Sequence, residues 1–382
     1  LIGSCWFQLS VSIACRRRET AAATQPAPAG SSPPIGLAKW SIAGIPMERK
    51  RDFYIVNSSE LPACLIVQPI HSAGMGRLKD AGVFPVDSLD AVDPGRVVAA
   101  ITRNAGFSGQ QMNGLPDLKV VAVHGVGYDP VDIDTATSLG ISVTNTPGSN
   151  ERSVAEQAIA LIFALAKQVV AADTAARTGD FAFKYSVDLM EVAGLTLGIL
   201  GFGAIGRQTA AIGRALGMRV IALSSHQPDA VFERLGVVRA ASLETLLRES
   251  DVVSLHLPST PSTRNIIGRE QLALMKPTSL LINTGRGSTV DEDALVNALR
   301  DGTIRGAGLD VFRSEPLDPN HPLCSLPNVI LSPHLAGSTE AALRRTAIAA
   351  AECVLTVLSD KRPETLVNPQ VWASRRQSIL NR

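Results

Sequence analysis

The chain has 382 residues, a formal net charge of +1, 45% hydrophobic and 19% charged residues and only 4% aromatics. At ~100–200 residues per domain the length predicts two domains, and the apolar content excludes a disordered chain. The near-zero charge and scarce aromatics exclude a basic groove or a stacking platform, so no nucleic-acid partner is expected.

Residues 1–46 stand apart. LIGSCWFQLSVSIAC is apolar, but Arg16-Arg17-Arg18 follows it rather than precedes it, the reverse of a secretory signal. TAAATQPAPAGSSPPIG then has linker composition. Three readings are open: an extension upstream of a start at Met47, a disordered or transit-type segment, or a membrane-active one. Five cysteines (Cys5, Cys15, Cys64, Cys324, Cys353) are scattered without CxxC or metal-ligand spacing. That pattern suits a reducing, cytoplasmic compartment and predicts no metal site.

From Asp52 onward, β-branched runs bounded by turn residues (DFYIVN, ACLIVQ, VVAAIT, LKVVAVHG, ISVTN) alternate with helical stretches such as DIDTATSLG. This rhythm predicts a parallel sheet with crossover helices over 47–150. Ser153-Val-Ala-Glu156 has capping-box spacing and predicts a long apolar helix to about Gln168, the passage into a second domain over 151–336. Its apolar stretch AIALIFALA ends at Lys167, short of the ~20 residues a membrane span needs, so no membrane partner is expected.

A second alternation starts at Leu195: TLGILG, RVIAL, DVVSLHL, SLLINTG, GAGLDVF and NVILSPH, six strands, enough for a complete dinucleotide-binding sheet. TEAALRRTAIAAAECVLTVLSD then predicts a long helix, followed by the loop KRPETLVNP. These elements are too few for a domain of their own, so 337–370 should return to the first domain and leave 371–382 as a tail.

Gly201-Phe202-Gly203-Ala204-Ile205-Gly206 follows the first of the six strands and opens a helix. The first glycine permits the tight turn, the second lets backbone approach a pyrophosphate, and the third lets helix pack on strand. An acid should follow roughly 20 residues on to hold a ribose 2′-OH. Ser224, Ser225 and His226 stand there instead; Asp229 lies further along the loop, and no arginine adjoins them. Removing the acid removes repulsion against a 2′-phosphate, which favours NADP(H), with NAD(H) still open.

Ligands of such sheets bind outside the carboxyl ends of the strands. Three strands deliver Arg286 (after SLLINTG), Glu315 (after GAGLDVF) and His334 (after NVILSP) to that edge. Reduction of a 2-oxo acid uses this set. Histidine is a proton donor near neutral pH, a neighbouring glutamate favours the imidazolium, and arginine binds the carboxylate and polarises the carbonyl. His71, His124 and His321 read as loop, packing and turn residues, and no GxSxG motif offers a serine nucleophile.

With these residues in view, the chain resembles the D-isomer-specific 2-hydroxyacid dehydrogenases from about Leu65 to Pro369. The resemblance is carried by HGVGYDPVDI, SVAEQAIALIFALAK, TLGILGFGAIG, LHLPSTPSTRNII, LLINTGRGSTVDEDAL, GAGLDVFRSEPL and LSPHLAGST in order. It implies an α/β fold of two doubly wound parallel-sheet domains: a Rossmann cofactor domain and a discontinuous flavodoxin-like substrate domain, with the active site in the cleft and usually a homodimer. It further implies substrate-carboxylate contacts from the backbone of Val126 and Gly127, with Thr284 and Asp310 near the nicotinamide and His256 and Pro258 on the adenosine side.

Within the family, ITRNAGFSG followed by HGVGYDPVD resembles the glyoxylate/hydroxypyruvate reductase branch. Phosphoglycerate and D-lactate dehydrogenase-like enzymes remain alternatives, although no extra basic residues can be placed in the cleft for a substrate phosphate. A formate dehydrogenase is disfavoured by Glu315. A non-catalytic NAD(P)-sensing protein is the rival from another class.

Overall fold

The computed structural model describes residues 61–377; the readings of 1–46 and of DFYIVN lie outside the described residues. The first of two sheets contains β1 (Ala63–Ile66), β2 (Phe84–Val86), β3 (Val97–Thr102), β4 (Val120–Val123) and β5 (Ser142–Thr144), linked by α1 (Ser72–Asp80), α2 (Gly109–Asn113) and α3 (Ile133–Ser138). Its order is β2-β1-β3-β4-β5, and every pairing is parallel. Strands β1, β3 and β4 are buried along their whole length, which is why they read as continuous apolar runs rather than alternating ones. The sequence reading passes over β2, because Phe-Pro-Val is short and carries a proline that suits only an edge strand.

Two helices, α4 (Glu151–Ala166) and α5 (Val169–Arg177), lead to the second sheet. There β6 (Thr196–Leu200), α6 (Ala204–Ala215), β7 (Arg219–Leu223), α7 (Asp229–Leu235), β8 (Val238–Arg239), α8 (Leu243–Glu249), β9 (Val252–Leu255), α9 (Arg269–Leu274), β10 (Leu280–Asn283), α10 (Glu292–Arg300), β11 (Gly306–Leu309) and β12 (Val329–Leu331) follow in turn. The order is β12-β11-β10-β9-β6-β7-β8, again all parallel. Seven strands replace the six expected; the extra one, β8, is two exposed residues and gives no apolar run. The winding reverses at β6, which opens a crevice at its carboxyl end.

The expected capping box at Ser153 is corrected. Helix α4 begins at Glu151 behind Asn150, so Ser153 already lies in its first turn. Its buried hydroxyl donates instead to the Ala336 carbonyl at 2.6 Å, and Glu156 pairs with Arg152 on the outside. The helix ends at Ala166, two residues early, because Gln168 turns left-handed (φ 47°) and α5 leaves at 55°. Among the described residues no single helix is long and apolar enough to cross a membrane; only the bent α4–α5 pair passes on length and composition, and α4 is mostly buried.

The last helix, α11 (Glu340–Leu358), runs back to the first sheet. Ala347, Ala350, Ala351, Val354 and Leu358 bury one face against Cys64, Ile66, Val98 and Ile101. Full burial of a side chain such as Val354 or Leu358 contributes about 1.5–3 kcal/mol. Asn368 then ties the following loop to β5, accepting from Val143 N at 2.9 Å and donating to the Ile141 carbonyl at 3.0 Å. Residues 371–377 are not a free tail. Val371 is buried, Arg376 N donates to the Gly140 carbonyl at 2.9 Å, and its guanidinium reaches the carbonyls of Leu115 and Leu118.

Candidate active site

A cleft of about 1520 Å³ runs along the carboxyl edges of both sheets. Its floor on one side is the glycine loop. Gly201 has φ +99°, and a Cβ there would overlap the His256 carbonyl. Gly206 is held equally close to the Gly201 carbonyl, whereas a Cβ on Gly203 would meet nothing. Backbone is therefore laid bare where α6 begins, and the first turn of that helix carries no side-chain cap. Gly203, Ala204 and Ile205 line the cleft.

Arg286 leaves the end of β10 and is anchored through its carbonyl, which accepts from Asn283 Nδ2 at 2.9 Å and Thr289 Oγ1 at 2.6 Å. Its Nε donates to Asp129 Oδ2 across the cleft at 2.7 Å, and Nη1 donates to the Gly285 carbonyl at 2.9 Å. The opposing wall is Gly127, where any Cβ would coincide with Nη2. Val126 and Gly127 line the cleft, and their N–H groups donate to no group among the described residues.

His334 follows β12 in a left-handed conformation (φ 51°), which costs a non-glycine residue energy unless its surroundings hold it there. The holder is Asp310. Its carbonyl accepts from His334 N at 2.9 Å, and its fully buried carboxylate accepts from Ser332 Oγ at 2.6 Å and from the N–H groups of Leu335 and Ala336 at 3.0 and 2.9 Å. His334 Nδ1 lies 2.7 Å from Glu315 Oε2, and Glu315 Oε1 accepts from Phe312 N at 3.0 Å. Burial alone would raise the Glu315 carboxyl. The His334 and Phe312 hydrogen bonds, together with the charges of His334 and Arg286, outweigh it and hold the group below the usual carboxylate range.

Two further strand-end groups are buried with an unpartnered atom facing no protein donor or acceptor: Thr284 Oγ1 and His256 Nδ1. His256 Nε2 lies 2.9 Å from Ser254 Oγ, and burial pushes its imidazole down to about 4, so it is neutral. Thr284, His256, Pro258 and Asp310 all line the cleft with Arg286, Glu315 and His334. Ser224, Ser225 and His226 sit beyond it, past the end of β7.

The family model "D-isomer specific 2-hydroxyacid dehydrogenase, NAD binding domain" matches residues 159–336. Glyoxylate reductase from Aeropyrum pernix is 48% identical over 262 residues, covering 67% of this chain and 78% of that one. The chain belongs to the D-isomer-specific 2-hydroxyacid dehydrogenase family. D-3-phosphoglycerate dehydrogenase from Methanocaldococcus jannaschii is 35% identical over 311 residues, 80% of this chain and 59% of that one. Among solved structures, an NADPH-dependent glyoxylate/hydroxypyruvate reductase from Sinorhizobium meliloti, in complex with NADP and malonate, superposes with a TM-score of 0.73 at 31% identity, covering 84% of this chain and all of that one.

The chain is thus an NAD(P)-dependent dehydrogenase that reduces 2-oxo acids. Its residues fit a nicotinamide cofactor: the bare Gly203 backbone at an uncapped helix start suits a pyrophosphate, and the unpartnered Thr284 Oγ1 and His256 Nδ1 are polar atoms that only a ligand or water can satisfy. Among the described residues no cluster could hold a metal ion.

Some cleft residues escape the sequence reading. Asp129 sits in the turn of HGVGYDP and meets Arg286 only through the fold. Further basic residues, which the sequence alone does not place in the cleft, are found there: Arg103, Arg264 and Arg313 line it. Arg103 directly follows β3, so the strand-end rule used for Arg286 would have found it; its guanidinium reaches Pro69 O and Ser338 Oγ. His124 directly follows β4 and also lines the cleft; burial first, then Arg103, pushes it down to about 4. His71 and His321 serve as helix caps, accepting from Ala73 N and Leu323 N.

Proposed function

We propose that the enzyme reduces glyoxylate to glycolate, or hydroxypyruvate to its D-2-hydroxy acid, with NADPH, with 47–150 and 337–370 holding the substrate and 151–336 the cofactor. The observation that carries this reading is the Glu315–His334 pair, 2.7 Å apart at the same cleft edge as Arg286. When bound, the cofactor supplies a hydride. Glu315 engages Nδ1 of His334, which leaves Nε2 to deliver a proton to the substrate's carbonyl oxygen in reduction and to take it back in oxidation. Arg286 and the free N–H groups of Val126 and Gly127 hold the carboxylate, and the guanidinium also stabilises charge developing on the carbonyl oxygen. Ser224, in place of an acid, supports NADPH over NADH.

Arg103 favours a second reading, a 2-oxo acid with a further anionic group such as 3-phosphohydroxypyruvate. Initial rates with glyoxylate, hydroxypyruvate, pyruvate and 3-phosphohydroxypyruvate, each with NADH and NADPH, decide between them. The expected result is the highest kcat/KM with glyoxylate or hydroxypyruvate and NADPH, and a shift towards NADH in Ser224→Asp. Turnover of the phosphorylated acid alone would establish the second reading. No oxidation of reduced cofactor with any of the four would overturn both substrate readings.

We propose further that the enzyme is a homodimer. The segment after α4 exposes Val169, Val170, Phe181, Tyr185 and Leu189, with Phe181 and Tyr185 72% and 81% accessible. Large apolar side chains left exposed along one segment support association there. Sedimentation of Phe181→Glu/Tyr185→Glu should show monomer where the unmodified protein shows dimer; a dimer that survives both charges would place the contact elsewhere.

A further inference from the structure

The β7 end of the cofactor sheet holds an arginine that the sequence places fifteen residues from Ser224. Strand β8 pairs in register so that Arg239 lies beside Ala222, the last residue but one of β7. Its Nη2 donates to the Ser224 carbonyl at 3.2 Å, and its Nη1 pairs with Asp229 Oδ1 at 2.5 Å. The guanidinium also lies over the Phe232 ring, 5.3 Å from its centroid, and Phe232 stacks on Phe202 of the glycine loop at 4.7 Å. The aromatic pair thus fixes the cation relative to the loop that takes the pyrophosphate. Beside it, Ser224 Oγ accepts from His226 N at 3.3 Å, and Ser225 Oγ lies 2.9 Å from His226 Nδ1.

Asp229 and Arg239 differ in exposure: the Asp229 side chain is 72% accessible and the Arg239 side chain 39%. Asp229 can therefore turn out into water, while Arg239 is held by the ring and the carbonyl. An exposed pair of this kind is weak. A phosphate monoester carries about −1.5 to −2 charge near neutral pH and presents three acceptor oxygens to a planar fork of donors. A ribose diol offers no charge that could displace the carboxylate.

We propose that Arg239, together with Ser224, is the ligand of the cofactor's 2′-phosphate, and that Asp229 is its exchangeable counter-ion. The assignment rests on the NADPH reading above and names the residue that would produce it. An acid at the end of β7 would repel the phosphate; here the acid stands at the start of α7 and neutralises the arginine until a phosphate replaces it. Discrimination between the two cofactors thus comes from a cation delivered by the neighbouring strand.

Calorimetric titration of the intact protein with 2′,5′-ADP and with 5′-AMP tests this without turnover. The unmodified protein should bind 2′,5′-ADP more tightly than 5′-AMP. Arg239→Ala should weaken 2′,5′-ADP on the order of 10–100-fold, the loss of a charge-assisted fork, while 5′-AMP binding, which also reports the fold, stays the same. Arg239→Lys should recover part of the loss, and Asp229→Asn should tighten 2′,5′-ADP several-fold. If the unmodified protein discriminates and Arg239→Ala discriminates as well, Arg239 is not the ligand and the NADPH preference has another source. If the unmodified protein does not discriminate, the NADPH preference fails and this assignment with it. Equal loss of both nucleotides in Arg239→Ala and Arg239→Lys would assign Arg239 to the fold and overturn the proposal.

Discussion

His334→Ala is expected to lower kcat for 2-oxo acid reduction by ~10²–10⁴-fold, the usual contribution of a positioned general acid, with cofactor affinity nearly unchanged. The side chain projects from a loop whose backbone is held by Asp310, so removing the imidazole leaves the loop in place. The companion variant, Glu315→Gln, keeps the shape of the pair and removes its charge. Against burial, the His334 and Phe312 hydrogen bonds hold the Glu315 carboxyl below its usual range, so Glu315 is ionised across the neutral range and protonates only as pH falls through its lowered value. As it protonates, the pair loses the charge that engages Nδ1 of His334, so the rate of reduction should fall there. Glu315→Gln is neutral at every pH, so it should react more slowly throughout and show no such low-pH limb. A low-pH limb that persists unchanged in Glu315→Gln would place its origin elsewhere, and an undiminished kcat in His334→Ala would remove the proton-donor role.

The parts of this site legible in the sequence share one property: each is a strand-end position following an apolar run. β10, β11 and β12 announce themselves as apolar segments, so the residues just beyond them can be counted off. β2 and β8 have no such run, being a Pro-containing edge and an exposed dipeptide, and what they carry stays hidden. Arg239 is the consequence: on β8, it comes beside Ser224 only through strand register. Ser153 failed for a related reason. Its spacing to Glu156 satisfies a capping box, but a one-dimensional pattern cannot show that Ala336, 183 residues away, accepts its hydroxyl. Asp310 was expected near the nicotinamide and does line the cleft, yet its carboxylate is taken up by the His334 loop, a role no local motif encodes. Asp129 and Arg286, 157 residues apart, are a pair of the same kind.

Arg286→Ala is expected to reduce kcat/KM by ~10²–10³-fold, the scale seen when one preorganised donor to a developing oxyanion is removed. Both parameters should suffer, KM rising because the ground-state carboxylate loses its cation and kcat falling because the carbonyl oxygen loses its stabiliser. Arg286→Lys should recover only part, since an ammonium cannot reproduce the fork that now engages Asp129 and the Gly285 carbonyl with separate nitrogens. Gly127→Ala separates geometry from charge. A single methyl there would occupy the position of Nη2, so the guanidinium must leave its place although it is still present and still charged. The Gly127→Ala enzyme should therefore approach the kinetics of Arg286→Ala, and adding Gly127→Ala to Arg286→Ala should cost little more, because both changes remove the same contact. Fully additive losses in the double variant would show that Gly127 acts through the substrate directly rather than by making room for the arginine.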